Sequence, residues 1–207
     1  MKKLLFTLLL GSMGFGNTSV AQENSPELSV EKKNFFYIAP LDLIFNTIQI
    51  GYERKLKNNN SIALNGGFKL SKKNEIIHRL GGNGEFQYRI NLRYNKNNYN
   101  SFIKNHSTYT YFAPFIQYRY EEITDAFPDS KDVSIVNKEN TYVNSSFAGF
   151  GFGVRVSALE NRFSLNLFAG GGMKYSDVKG DKSYADFTEV GYTGIAPKIS
   201  FQIGVAF

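Results

Sequence analysis

The chain has 207 residues, a formal net charge of +6, 19 Phe and 13 Tyr, and this aromatic content excludes bulk disorder. The absence of Cys excludes a disulfide scaffold, a thiolate metal site and a thiol nucleophile, and two His are too few for a multi-histidine metal centre. No apolar stretch reaches the roughly 18 residues that a membrane-spanning helix needs.

The N-terminal segment has the three-part pattern of a secretory signal. Lys2 and Lys3 form a positive end, Leu4–Leu10 is apolar apart from one Thr, and small residues precede Ala21. We therefore predict cleavage between Ala21 and Gln22. The alternative is a retained anchor helix, but the apolar run is too short to span a membrane. No Cys follows this run, which excludes lipoprotein processing.

The predicted organisation has three parts. Residues 1–21 form the signal peptide, residues 22–32 a short periplasmic segment, and residues 33–207 a single β-barrel domain. The net charge is only mildly basic, and the sequence contains no basic patch typical of nucleic-acid binding. An exported protein would also rarely meet nucleic acid.

Apolar and polar residues alternate along the mature chain with the two-residue period of strands. Phe86, Tyr88 and Ile90, for example, are separated by Gln87 and Arg89. The alternation predicts eight strands, at about 33–40, 46–56, 61–71, 84–94, 108–121, 142–158, 162–175 and 197–207.

The connections between these strands are alternately short and long. Residues 57–60 and 159–161 are predicted tight turns, whereas 72–83, 122–141 and 176–196 are predicted long polar loops. This pattern is typical of an all-β, eight-stranded, antiparallel up-and-down transmembrane barrel. Residues 95–107 connect two strands on the periplasmic side, where a short turn is expected. We therefore expect a short helix or a strand extension there, and ten strands remain an alternative.

The polar face of the strands carries many charges, which a narrow barrel can accommodate inside only as hydrogen-bonded pairs. A secreted soluble barrel would instead place its apolar face inside. Inward glycines and tyrosines near strand ends favour the membrane barrel. The predicted lumen charges are Glu53, Lys69, Glu85, Arg89, Arg93, Arg119, Glu121 and Arg155. The inward glycines are Gly149, Gly151, Gly153, Gly170, Gly172 and Gly204. The tyrosines of the predicted interfacial girdle are Tyr37, Tyr94, Tyr109, Tyr111, Tyr118, Tyr120 and Tyr175.

The last strand has apolar residues at alternate positions and an aromatic residue at its end: Phe201, Ile203, Val205 and Phe207. It resembles the terminal strand of outer-membrane β-barrel proteins. In that family the barrel-assembly machinery recognises this strand, so the resemblance implies an assembly signal.

The segment 34–56 contains a Pro-Leu-Asp-Leu-Ile-Phe turn followed by Tyr-Glu-Arg. It resembles the opening of a family of small bacterial outer-membrane β-barrel proteins, mostly without assigned function. The match covers about a tenth of the chain, and the rest agrees in architecture with OmpA-, OmpX- and OmpW-like barrels. The resemblance implies no catalytic residues.

We found no catalytic or metal-binding pattern. His106 and Ser107 are adjacent on a predicted strand and therefore point to opposite faces. We expect a non-enzymatic protein without cofactor or metal.

The predicted protein is a monomer in the outer membrane of a Gram-negative bacterium, with a charge-plugged lumen and long extracellular loops. Its role is structural or surface-interacting. Its partners are outer-membrane lipid, lipopolysaccharide and, during biogenesis, the barrel-assembly machinery. A narrow channel or small-ligand transporter is the alternative, followed by a lipid-modifying enzyme.

Overall fold

The computed structural model of the protein describes residues 32–56, 60–70, 77–97, 106–128, 136–158, 162–180 and 186–207. Within these ranges, eight antiparallel strands pair in sequence order, and the eighth pairs with the first to close a barrel. The elements are β1 Asn34–Ile38, α1 Pro40–Ile44, β2 Thr47–Lys55, β3 Ser61–Lys69, β4 Ile77–Asn97, β5 His106–Pro128, β6 Val136–Ala158, β7 Phe163–Lys179 and β8 Gly194–Ala206. The predicted eight-stranded up-and-down architecture is confirmed, and the described residues contain no ninth or tenth strand.

The two faces of the barrel wall are inverted relative to a protein with an apolar core. On β2, the side chain of Glu53 is 1% exposed, whereas Ile48 and Ile50 are about half exposed. On β6, Arg155 and Ser157 are buried and Phe150 and Phe152 are exposed. The interior is therefore polar and aromatic, and the outer wall is apolar.

Glycines make room for large side chains inside the barrel, as predicted. A Cβ added to Gly153 would collide with the ring of Tyr111, and one added to Gly204 would collide with the ring of Tyr37. Gly149, Gly151, Gly170 and Gly172 face neighbouring strands or rings just as closely.

The prediction that all the strand-end tyrosines form interfacial girdles was wrong for three of them. Tyr37, Tyr109 and Tyr111 are buried inside the barrel, at 1%, 2% and 4% exposure. Their positions alternate with outward residues, so the strand pleat directs them inward. The other tyrosines of the predicted set lie on the outer face, at Tyr118, Tyr120 and Tyr175, and the side chain of Tyr94 is outside the described ones.

Three strands are much longer than predicted. β4 begins at Ile77, within the predicted 72–83 loop, and β5 and β6 extend into the predicted 122–141 loop as far as the Pro128–Val136 pair. Two paired strands satisfy each other's backbone groups without an apolar face, so polar composition does not exclude a strand. β4 and β5 also extend to Asn97 and His106, which confirms a strand extension in the 95–107 connection.

The connection between β1 and β2 is helical. Pro40 was predicted at the end of a strand, but it occupies the first turn of α1, where its missing N–H and fixed φ are favourable. Asn46 ends this connection with a φ of 55°, a left-handed conformation that Asn tolerates. No helix in the described ranges is long and apolar enough to span a membrane.

The strand pairings differ greatly in length. β5 and β6 pair from Ser107–Ser157 to Pro128–Val136, whereas β1 and β8 pair only from Phe35–Ala206 to Ile38–Ile203. The β4–β5 pairing contains a register irregularity between Asn91 and Arg93.

Candidate functional site

The middle of the barrel is organised around the carboxylate of Glu53, which accepts four hydrogen bonds. Oε2 accepts from Arg89 Nη1 at 2.5 Å and from Tyr37 OH at 3.2 Å. Oε1 accepts from Arg155 Nη1 at 2.5 Å and from Ser61 Oγ at 2.5 Å. Two donors on each oxygen satisfy the acceptor capacity of a buried carboxylate. The four donors come from four different strands, and the two arginines among them compensate the charge.

Aromatic rings enclose the two guanidinium groups. Arg155 lies 4.5 Å from the ring centroids of both Phe35 and Tyr109, and Arg89 lies 4.8 Å from that of Tyr111. A guanidinium over a desolvated aromatic face gains cation–π stabilisation. The inward aromatic residues therefore stabilise charge and exclude water from around it.

A second charged pair lies beside this centre. Lys198 Nζ is 2.5 Å from Glu85 Oε2, and the Glu85 side chain is 1% exposed. Glu85 Oε1 also accepts from Gln87 and from Asn65. Gln87 in turn accepts from Arg89 Nε at 2.9 Å, which connects the two charged centres.

A chain of amides extends this network across the barrel. Asn65 Oδ1 accepts from Gln202 at 3.0 Å, Gln202 Oε1 accepts from Asn166 at 2.9 Å, and Asn166 Oδ1 accepts from Tyr111 OH at 2.8 Å. These side chains come from β3, β8, β7 and β5. Together with the Glu53 centre they form a continuous hydrogen-bonded layer from wall to wall, which we call the interior network.

A looser cluster lies where the barrel opens towards α1 and the connection between β7 and β8. Glu121 is 3.3 Å from Lys69 Nζ and 3.7 Å from Arg119 Nη1. The Lys69 and Arg119 side chains are 22% and 38% exposed. Two adjoining cavities of about 280 and 230 Å³ surround Arg119 and share Asp42 and Thr188 in their walls. We call this region the mouth.

Part of the connection between β7 and β8 folds inward. The predicted 176–196 loop was expected to be an external polar segment, but Val190 is 7% exposed and packs with Ile123 and Val143. Tyr192 packs against the interior aromatic cluster, and Lys174 Nζ donates to the Glu189 carbonyl at 2.9 Å. The inward fold places Thr188 over the mouth cavities.

The predicted lumen charges thus fall into separate groups. Glu53, Arg89 and Arg155 come together in the interior network, and Glu85 joins it through Lys198. Arg93 follows the register irregularity in β4 and its backbone pairs with Thr110. Its side chain lies outside the described ones. The remaining three predicted lumen charges, Lys69, Arg119 and Glu121, meet at the mouth.

The sequence analysis missed several interior cations, among them Lys55, Lys198 and Lys174, of which Lys174 is 9% exposed. Lys55 is 7% exposed and its Nζ donates to Tyr109 OH at 2.9 Å. Lys198 is the partner of Glu85. The strand pleat provides a signal for these residues. Lys55 has the parity of Glu53, Lys198 that of Gln202, and Lys174 that of Phe168.

The residues of the predicted assembly signal lie on β8 or directly after it. Val205 and Phe207 are exposed on the outer wall, and Phe201 and Ile203 are half-buried. The predicted cleavage point between Ala21 and Gln22 lies outside the described residues.

The described residues contain no group of three or more His, Asp or Glu that could hold a metal ion. Comparison with known proteins identified no relative, because no family model, curated protein or solved structure matches the chain significantly.

Proposed function

We propose that the protein is an integral outer-membrane β-barrel of a Gram-negative bacterium, closed by its interior network and serving a structural or surface-interaction role. The observation that carries this proposal is the inverted wall. Large apolar side chains such as Phe150, Phe152 and Ile199 are 59–76% exposed, while Glu53 and Arg89 are 1–2% exposed inside. A barrel in water would lose stability from this arrangement, whereas hydrocarbon solvates the outer face.

The closed ring of strands supports the same proposal. Each strand has a hydrogen-bonded neighbour on both sides within the paired ranges. Hydrocarbon offers no partner to unpaired backbone groups, so a closed barrel is one of the two structures that can span a bilayer.

The interior network supports a closed rather than a conducting barrel. An ion passing through would have to displace Glu53 from Arg89 and Arg155, which lie at 2.5 Å from it. Separating buried partners costs about 3–5 kcal/mol. The amide chain from Asn65 to Asn166 obstructs the rest of the cross-section.

The unequal strands support a role at the cell surface. β5 has 23 residues, whereas about 9–11 tilted residues cross a bilayer. The surplus of β5 and β6 forms a paired extension beyond the mouth. We propose this extension, with lipopolysaccharide around its base, as the surface that meets partners. The proposed protein acts as a monomer without a cofactor or catalysis, and the barrel-assembly machinery inserts it.

The orientation of the wall is tested with single tryptophans, since the chain has none. Phe152→Trp places an indole on the outer wall, and Phe168→Trp places one at a fully buried interior position. In vesicles containing brominated lipid we expect strong quenching for Phe152→Trp and little for Phe168→Trp. Equal quenching in two folded variants would contradict the membrane proposal.

The closed lumen is tested by conductance in planar bilayers, with an open porin as the positive control. We expect no steady conductance from the wild-type barrel. A stable conductance that grows linearly with salt would replace this proposal with the narrow-channel alternative. Cell fractionation completes the test, and a soluble periplasmic product would contradict the proposed location.

A further inference from the structure

The mouth has features that neither a plug nor a supporting wall requires. The larger cavity has a volume of about 280 Å³ and polar walls from β2, β3, β4 and β5. Ligand pockets for drug-sized molecules hold about 300–1,000 Å³, so this cavity suits a smaller solute. It lies inside the ring of strands, where lipid does not reach.

Arg119 is the central group of the mouth and lines both cavities. Its side chain is 38% exposed, and its ion pair with Glu121 measures 3.7 Å, which is beyond hydrogen-bond distance. Among the described residues it makes no hydrogen bond. A guanidinium has five N–H donors in a planar fork that matches carboxylate and phosphate oxygens. Arg119 therefore presents unused donors to the cavity.

The cations at the mouth outnumber the acids. The two cavity walls contain the carboxylates Asp42 and Glu121, and Lys198 is held by Glu85 below. Glu121 is shared between Lys69 and Arg119. The cations of the walls are Lys69, Arg79, Arg119, Lys174 and Lys198. The excess of positive charge favours an anion in the cavity.

Neutral polar side chains complete the walls of the larger cavity. Thr47 and Gln49 line it from β2, and Thr188 lines it from the inward-folded loop. Hydroxyl and amide groups of this kind can donate hydrogen bonds to a ligand hydroxyl or accept them from it.

We propose that the mouth binds a small hydroxylated solute with one phosphate or carboxylate group, with Arg119 binding the oxyanion. Lys69 supplies additional positive charge, and Gln49 and Thr188 bind a hydroxyl. Glu121 competes with the ligand for Arg119. This inference does not depend on whether the interior network conducts ions, and it adds a binding activity to the proposed structural role.

The test is calorimetric titration of the detergent-solubilised barrel with glycerol 3-phosphate at low ionic strength. We expect saturable binding of one ligand per barrel. Arg119→Gln should weaken this binding roughly tenfold or more, since a hydrogen bond between charged groups is lost. Arg119→Lys should bind with intermediate affinity, because Lys retains the charge without the fork.

The matched control is Arg54→Gln. Arg54 is exposed near the opposite end of β2 from Thr47, a residue of the cavity wall. This variant has the same net charge as Arg119→Gln, so an unchanged affinity would assign the effect to the mouth. Equal weakening by both variants, or no binding by the wild-type protein, would overturn the proposal.

A second variant separates a specific loss of binding from damage to the fold. Glu121→Gln removes the competing carboxylate, so we expect it to bind glycerol 3-phosphate several-fold more tightly, which a damaged barrel would not do. Weaker binding by a folded Glu121→Gln barrel would contradict the assigned competition.

Titrations with related molecules test which groups of the ligand the mouth recognises. Inorganic phosphate should bind more weakly than glycerol 3-phosphate, and glycerol should not bind measurably. Phosphatidylglycerol added to the micelles should not compete, because its headgroup lies outside the ring. Competition by this lipid would reassign the site to a lipid headgroup and overturn the solute proposal.

Discussion

Glu53 and Glu121 are both buried glutamates that face two cations, but their surroundings differ. The partners of Glu53 lie at 2.5 Å and are at most 5% exposed. The partners of Glu121 lie at 3.3 and 3.7 Å and are 22% and 38% exposed. The interior thus holds a tightly paired charge, and the mouth holds a loosely paired one.

The aromatic residues account for this difference. Phe35, Tyr109 and Tyr111 enclose the guanidinium groups around Glu53, whereas the guanidinium of Arg119 makes no cation–π contact with a ring of the described residues. Enclosure fixes the side chains and lowers the local dielectric, which strengthens each pair and raises the cost of breaking it. The same residue types therefore form a tightly enclosed ion-pair centre in one place and an accessible charged cavity in the other.

The largest expected effect comes from truncating each glutamate in turn. Glu53→Ala leaves Arg89 and Arg155 buried without their carboxylate and should destabilise the folded barrel by about 3–5 kcal/mol. Glu121→Ala leaves cations that water can reach, so its cost should be about 1 kcal/mol or less. Urea unfolding followed by the gel shift of the folded barrel measures both. Equal costs would show that enclosure does not separate the two regions.

The next largest effect on the stability of the barrel is expected from adding a methyl group inside it. Gly153→Ala would push against the Tyr111 ring, which packs on Arg89 and donates to Asn166. We expect the free energy of unfolding to fall by about 1–3 kcal/mol, which is typical of overpacking. Gly84→Ala is the control, because nothing lies within 4 Å of its added Cβ. If the same unfolding measurement shows both variants at wild-type stability, the interior is less tightly packed than described.

A smaller effect is expected from removing single hydroxyl groups. Tyr37→Phe removes one of the four donors to Glu53 and should cost about 0.5–1.5 kcal/mol. Tyr118→Phe removes a hydrogen bond to Asn144 on the exposed outer face and should cost less. The difference between the two unfolding free energies is the informative quantity. A larger cost for Tyr118→Phe would contradict the importance of the interior network.

The smallest expected effect is that of salt on the destabilisation caused by the two glutamate variants. The Debye length falls from about 10 Å at 0.1 M to about 3 Å at 1 M, which screens exposed charges more than enclosed ones. The destabilisation by Glu121→Ala should therefore shrink in 1 M NaCl, and that by Glu53→Ala should persist. An equal salt response of both variants in urea unfolding would indicate that water reaches Glu53.

The architecture could be predicted because alternation alone determines which face each residue occupies. The inward position of Glu53 and Arg89 follows from the pleat of their strands. Their pairing could not be predicted, because it depends on register. The two arginines that bind Glu53 lie 36 and 102 residues away in the sequence, and no local pattern fixes these offsets.

The errors have specific physical causes. Tyr109 and Tyr111 fit both a membrane interface and a charged interior, so residue type did not discriminate between them. The extensions of β5 and β6 are polar, and their backbone pairing has no signal in hydrophobicity. The position of Thr188 at the mouth depends on the inward fold of its loop, in which Val190 packs with Ile123, and this packing could not be inferred from sequence.

The pairing between β1 and β8 is short, and we expect this to affect the order in which the barrel is completed. The β5–β6 hairpin joins residues close in sequence, so its contacts form with little loss of chain entropy. Phe35 and Ala206 are far apart in sequence and gain only a few aligned pairs on meeting. Their contact requires a long loop to close, which costs chain entropy, and only a few hydrogen-bonded pairs form in exchange. We therefore expect the ring to close last between β1 and β8. The interior network uses side chains from both of these strands, so it would be complete only then.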